Sequence, residues 1–137
     1  MSLSQVRGVA ARMPFNAWMG IRVVRLHRDW VTIECPLRGE LLNKSGVLHG
    51  GVTATMADAA VGIALHRHFG GVQAATTVEM KVSFLRPVWE GTIIARSRLI
   101  HLGRRLSVGQ VDLRDNGNRL VGAALVTYMM LNPKRRR

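Results

Sequence analysis

Hydrophobic positions follow two different periods along this chain, and each change of period marks a new element. From Ile21 to Pro36 the pattern is that of a strand, with Val31, Ile33 and Cys35 alternating against Thr32 and Glu34. His27-Arg28-Asp29 is a turn or bulge inside that stretch, and Arg38 to Leu48 is a polar loop. The run from Gly50 to about Phe69 then loses alternation and nearly all charge, as a helix buried on most of its faces does, and Gly70-Gly71 stops it. Alternation returns with Val78, Met80, Val82 and Phe84 against Glu79, Lys81 and Ser83, ending at Pro87. Gly91 to His101 and Arg105 to Arg114 are further strands, with Gly109 expected as a bulge where the phase shifts. Asp115-Asn116-Gly117-Asn118 is a hairpin turn, and Arg119 to Leu131 is the last strand. Ahead of these elements, residues 2–12 form a short helix broken by Pro14, and Pro14 to Gly20 form a compact apolar cap. Residues 133–137 are a basic tail.

The order is therefore strand, one long helix at about residues 50–68, then a meander of about four strands. One apolar helix beside one antiparallel sheet predicts an α+β fold in which the sheet curls around the helix. Ala54, Ala57, Ala59, Ala60, Gly62 and Ala64 keep the helix thin enough for strands to approach closely. The 137 residues carry no repeat or linker and are expected to form a single domain, 1–137.

Composition narrows the class. Hydrophobic residues make up 47% and charged residues 20%, a globular balance. The apolar run Val47 to Leu65 contains His49, Thr53, Thr55, Asp58 and three glycines, which is too polar for a membrane span. No apolar segment with a small-residue cleavage site opens the chain, so a cytoplasmic protein is expected. The lone Cys35 excludes an intramolecular disulfide and a cysteine metal cluster. The net charge of +12 favours anionic partners, although 17 of the 20 basic residues are Arg and an arginine-rich solvated surface gives the same balance.

The chemistry lies in Asn43 to Leu65. Asp58 is the one carboxylate of the long helix, and its neighbours one turn away, Ala54, Thr55, Val61 and Gly62, offer no positive partner. Burying a carboxylate unpaired is costly, so it is either a structural group bonded elsewhere or a nucleophile or general base in an apolar cleft. Gly50 and Gly51 stand at the helix start, where free N–H groups and the helix dipole favour negative charge and the missing side chains admit a substrate oxygen. The same glycines also suit a tight loop-to-helix turn. Eight residues separate Gly50 from Asp58, about 12 Å at about 1.5 Å per residue. A carbonyl held about 3 Å from Gly50 N–H is out of reach of Asp58 on the same helix. An antiparallel second copy of the helix removes the difficulty, which implies a two-fold dimer with composite sites.

Asn43, Gly46, His49-Gly50-Gly51 and Asp58 nine positions after the histidine together resemble the hotdog-fold acyl-CoA thioesterases, in particular the phenylacetate-pathway (PaaI-like) branch of the 4-hydroxybenzoyl-CoA thioesterase superfamily. The resemblance extends through Pro14-Phe15 to Ile21, Glu79 to Pro87 and Gly103-Arg104-Arg105. It implies an antiparallel sheet wrapped around the central helix, homodimers that pair into dimers of dimers, and hydrolysis of an aryl-acetyl, aromatic or medium-chain acyl-CoA. No cofactor is implied beyond the coenzyme A that is part of the substrate. Under the resemblance Gly50 N–H polarises the thioester carbonyl and Asp58 of the partner chain is the nucleophile or the base. Asn43 orients water or carbonyl, His49 holds the loop, and Thr77, with Thr76 as rival one residue away, supplies a hydroxyl from the strand after the helix. Gly51 belongs to the substrate-binding turn, and Arg86, Arg104 and Arg105 are candidates for the CoA phosphates, which the planar guanidinium fork suits.

Three other classes fit less of the chain. A hotdog dehydratase needs a second acidic motif that is not found beside His49. A non-catalytic acyl-CoA sensor of the same fold remains the alternative, but no separate DNA-binding segment accompanies the one fold. Direct nucleic-acid binding wants aromatics among the basic residues, whereas Trp18, Trp30 and Trp89 are scattered. A metal site is not expected, since His66 and His68 have no cysteine or carboxylate cluster beside them.

Overall fold

The computed structural model describes residues 1–71 and 74–131. The basic tail expected at 133–137 lies outside the described residues. The elements in chain order are α1 (Leu3–Arg12), α2 (Pro14–Met19), β1 (Arg22–Leu26), β2 (Trp30–Pro36), α3 (Gly50–His68), β3 (Ala75–Phe84), β4 (Thr92–Leu102), β5 (Leu106–Arg114) and β6 (Leu120–Met130). The strands make one antiparallel sheet in the order β1-β2-β4-β5-β6-β3, and α3 packs on its inner face. This is the hotdog arrangement.

Local chemistry accounts for the element ends. Ser2 and Gln5 form a reciprocal capping box at the start of α1. The apolar cap after Pro14 is a six-residue helix, α2, with proline in its first turn and Gly20 closing it in the left-handed conformation at φ 82°. His27 to Asp29 form the turn of a β1–β2 hairpin, and Asp115 to Asn118 that of β5–β6. The core lies between α3 and the sheet: Met56, Ala57, Ala60 and Val61 face Ile33, Ile93, Ala95, Val111, Leu113 and Val126, all fully buried. Each large aliphatic among them contributes about 1.5–3 kcal/mol on burial. The close approach of helix and sheet is visible at Ser97, whose buried hydroxyl donates to Ala60 O at 2.8 Å. Among the described residues no helix is long and apolar enough to cross a membrane.

Three sequence expectations need correction. First, the last four strands are not a simple meander. β4, β5 and β6 are consecutive neighbours, but β3 lies on the far side of β6. The chain returns from β3 to β4 beneath the loop before α3, where buried Val88 accepts a bond from Leu48 N at 2.8 Å. Second, Gly109 is not a bulge. Ser107, Gly109, Val111 and Leu113 all face inward in unbroken alternation, and the irregularity sits opposite, at Ile100 of β4. Gly109 is glycine because α3 crosses there: a Cβ would stand 2.5 Å from a Val61 methyl. Third, the alternation assigned to β3 starts one step too early. A bulge at Val78 separates Thr77, opposite Tyr128, from Glu79, opposite Thr127. Met80 and Val82 share the inner face as expected, but Val78 is extruded and 49% exposed.

Gly109→Ala is therefore expected to lower stability by about 1–3 kcal/mol, because the added methyl must displace a fully buried valine. A thermal melt of the variant that coincides with wild type would show that Val61 yields freely, contrary to this packing.

Candidate active site

Helix α3 begins in a loop built by one side chain. Asn43 Oδ1 accepts from Ser45 N at 2.9 Å and from Val47 N at 3.1 Å, while Asn43 N donates to Val47 O and Gly46 N to Asn43 O. Gly46 completes this turn at φ 79°, a conformation that disfavours a side chain. The carbonyl of Asn43 is thus committed to the loop. His49 is the N-cap, its Nδ1 accepting from Gly51 N at 2.9 Å. That bond requires the lone pair on Nδ1 and occupies the amide of Gly51. Among the described residues no acceptor pairs with Gly50 N–H. Of the two glycines, Gly50 is the one with an amide to offer. It lines a cleft of about 340 Å³ with Phe84, Arg86 and Pro87, the Phe84 ring lying 3.3 Å from where a Gly50 Cβ would be.

Asp58 lines a different cleft, of about 500 Å³, walled by Phe15 and Asn16 of α2, Thr55, Ile63 and His66 of α3, and Thr77 and Tyr128 of the sheet. Thr77 Oγ1 donates to Asp58 Oδ1 at 2.7 Å, and Tyr128 OH lies 2.7 Å from the same oxygen and 2.9 Å from Asp58 O. Two hydroxyls therefore converge on one carboxylate oxygen, and Oδ2 has no protein donor among the described residues. The rival threonine, Thr76, is exposed on the opposite face of β3. Burial pushes the Tyr128 phenol well above its ordinary pKa, and the neighbouring Asp58 charge adds to the shift. The phenol is thus a donor throughout the neutral range.

A single chain does not unite the expected site. Gly50, His49 and Asn43 stand at one end of α3, Asp58 and Thr77 about two turns away in a separate cleft. The arginines are also divided. Arg86 Nη1 donates to Leu120 O at 2.7 Å, whereas the backbone carbonyl of Arg105, beside exposed Arg104 in the β4–β5 turn, accepts from Met130 N. Leu120 and Met130 are the two ends of β6. Among the described residues no three His, Cys, Asp or Glu side chains are grouped as metal ligands.

The family model of the thioesterase superfamily matches residues 45–122, from the Asn43 loop through β5 to the start of β6. The chain belongs to the thioesterase superfamily. A thioesterase from Haemophilus influenzae superposes with a TM-score of 0.91 at 25% identity, over 100% of this chain and 95% of that one. A mutant thioesterase from Pseudomonas aeruginosa gives 0.88 at 23% identity over 96% and 94% of the two chains. A mutant of the phenylacetic acid degradation protein PaaI from Thermus thermophilus gives 0.77 at 24% identity over 86% and 99%. Thioester hydrolysis is accordingly the chemistry the fold and family support.

Tyr128 was not singled out from the sequence of this thioesterase-family chain, although a signal exists. It is the chain's one tyrosine, set among apolar residues on an inward strand position, where a phenol needs a partner. Because it is alone, its ionisation can be read directly by phenolate absorbance. The phenolate rise is expected well above the ordinary midpoint of about 10, and Asp58→Asn should bring it down. The fold favours the neutral phenol, so this contribution to stability is complete below about pH 10 and is lost as pH rises through the higher folded value. An ordinary midpoint in the folded wild type would contradict the buried contact.

Proposed function

We propose that the chain hydrolyses an acyl-CoA thioester to the free acid and coenzyme A, at composite sites shared between the two protomers of a homodimer. The observation that carries this is the split itself. An unengaged amide, Gly50 N–H, and a carboxylate with one free oxygen, Asp58, occupy separate clefts on one helix, yet acyl transfer needs them about 3 Å from the same carbonyl carbon and oxygen. An antiparallel second α3 puts the amide of one protomer opposite the carboxylate of the other. β3 supports such a pairing, being an edge strand with Val78 and Met80 exposed. Dimers of dimers follow from the family resemblance, and the exposed Leu106, Leu125 and Met129 on the outer sheet face are compatible with them.

In this reading Gly50 N–H stabilises the oxyanion as the carbonyl turns tetrahedral. Asp58 Oδ2 either takes a proton from the attacking water and returns it to the departing thiolate, or attacks directly to form an anhydride that water then opens. Both routes need the same carboxylate position. His49 and Asn43 hold the amide end in place through the cap and the loop. Phe15, 56% exposed at the Asp58 cleft and stacked on Trp18 at 6.3 Å, suits an aryl-acetyl, aromatic or medium-chain acyl group. Arg86 of one protomer and Arg104 and Arg105 of either protomer are the proposed phosphate contacts of CoA.

Two experiments test the reading. Thiol release should be seen from one or more members of a panel of aryl, medium- and long-chain acyl-CoAs, and Asp58→Ala should reduce it by at least about a hundredfold. Binding without release would favour an acyl-CoA sensor, and an inactive wild type across the panel would sink the enzyme. For the shared site, Gly50→Pro removes the amide proton and adds a ring beside Phe84, at a first helical position that suits proline and after a His49 already extended at ψ 133°. Asp58→Ala and Gly50→Pro, each inactive alone, should regain about one quarter of wild-type activity when refolded together, because half of the dimers then carry one intact site of two. Absence of any recovery in verified heterodimers would refute composite sites.

A further inference from the structure

We propose that Tyr128 is a positioning residue for thioester hydrolysis, which with Thr77 anchors Asp58 Oδ1 and so assigns Oδ2 as the oxygen that acts on the substrate. This rests on the reading of the Asp58 cleft given above.

The geometry is specific to one oxygen. Thr77 Oγ1 has no closer acceptor than Asp58 Oδ1, at 2.7 Å. Tyr128 OH has a single proton and two acceptors within reach, Oδ1 at 2.7 Å and the Asp58 carbonyl at 2.9 Å. The carboxylate is the charged acceptor and takes the stronger bond. Held from two adjacent strands, the carboxylate has no freedom to exchange its oxygens by rotation about the Cβ–Cγ bond. Tyr128 is unsuited to a role of its own as acid or base, because burial keeps its phenol protonated. It is also backed rather than free to swing: the Tyr128 hydroxyl would lie 2.7 Å from a Cβ on Gly62, one turn beyond Asp58. Gly62 is thus the vacancy on α3 that lets the phenol reach the carboxylate.

The pairing also explains the placement of both hydroxyls in the strands. Thr77 and Tyr128 are direct cross-strand partners, and the bulge at Val78 brings Thr77 to the inner face beside an already inward Tyr128. Without the bulge Val78 would stand opposite Tyr128, and Thr77 would turn to the outer face. His66 is the other ionisable group lining this cleft among the described residues, and it is unchanged in the variants below.

The test uses the full chain with the best acyl-CoA of the panel. Tyr128→Phe, which keeps the ring, should lower kcat about ten- to one-hundred-fold, the worth of one hydrogen bond to a charged group, while KM stays within about twofold. Gly62→Ala should cause a kcat loss of the same kind by displacing the hydroxyl, and the double variant should be no worse than Tyr128→Phe alone. Wild-type kcat in Tyr128→Phe, or losses from the two substitutions that multiply, would overturn the proposal. A second readout is independent of turnover. With aspartate carboxyl carbons labelled and Asp58 assigned by comparison with Asp58→Asn, its carboxyl chemical shift should move in Tyr128→Phe, because the carboxylate loses a donor. If the wild type hydrolyses nothing in the panel, the thioesterase reading fails on that result alone. The carboxyl resonance still decides the contact: a displaced resonance supports anchoring by Tyr128, and an unmoved one refutes it.

Discussion

A half-buried carboxylate in the middle of a nearly uncharged helix needs hydrogen-bond partners, and here two hydroxyls on adjoining strands supply them. Much of the architecture serves that contact. β3 must lie beside β6, not β4, for Thr77 and Tyr128 to be cross-strand neighbours. The loop from β3 must then run back under the start of α3 to reach β4, where Leu48 and Val88 tie it down. Along α3, small residues let the sheet close in, and Gly62 in particular admits the phenol. The polar contact and the apolar wrapping are therefore one packing problem.

The other end of α3 is organised by a different economy. Asn43 and His49 spend their acceptors on backbone amides of their own loop and first turn, which fixes the chain entering the helix. The consequence is a division between Gly51, whose amide is capped internally, and Gly50, whose amide has no acceptor among the described residues. A helix N-terminus is a weak anion site when every orphan N–H is solvated alike; capping one and exposing its neighbour gives it direction.

Much of this was legible in the residues. The long uncharged run, the single Asp58 and the His-Gly-Gly start located α3 and both halves of the candidate site, and the helical rise alone showed that one helix cannot join them. The strand segments were also readable from alternation. Pairing order was not, because alternation says which face a residue occupies but not which strand lies beside it. Bulges were the second loss. Gly109 carries the glycine that suggests one, yet it marks a close helix crossing, while the irregularities opposite it and in β3 fall at Ile100 and Val78, β-branched residues with no turn signal. The Val78 bulge is also why Thr76 and Thr77 could not be separated by counting back from Met80: a period of two from Met80 selects Thr76, and the inserted residue reverses the choice. Tyr128 escaped notice because its partner is distant in sequence, 70 positions from Asp58.

The extruded Val78 divides β3 into two segments of opposite phase. Residues before it answer to the carboxylate, and residues after it answer to the core and the open edge of the sheet. The bulge absorbs a change of phase, so Thr77 and Met80 both face inward although they are three positions apart. One surplus residue lets a single strand serve both the carboxylate and the core.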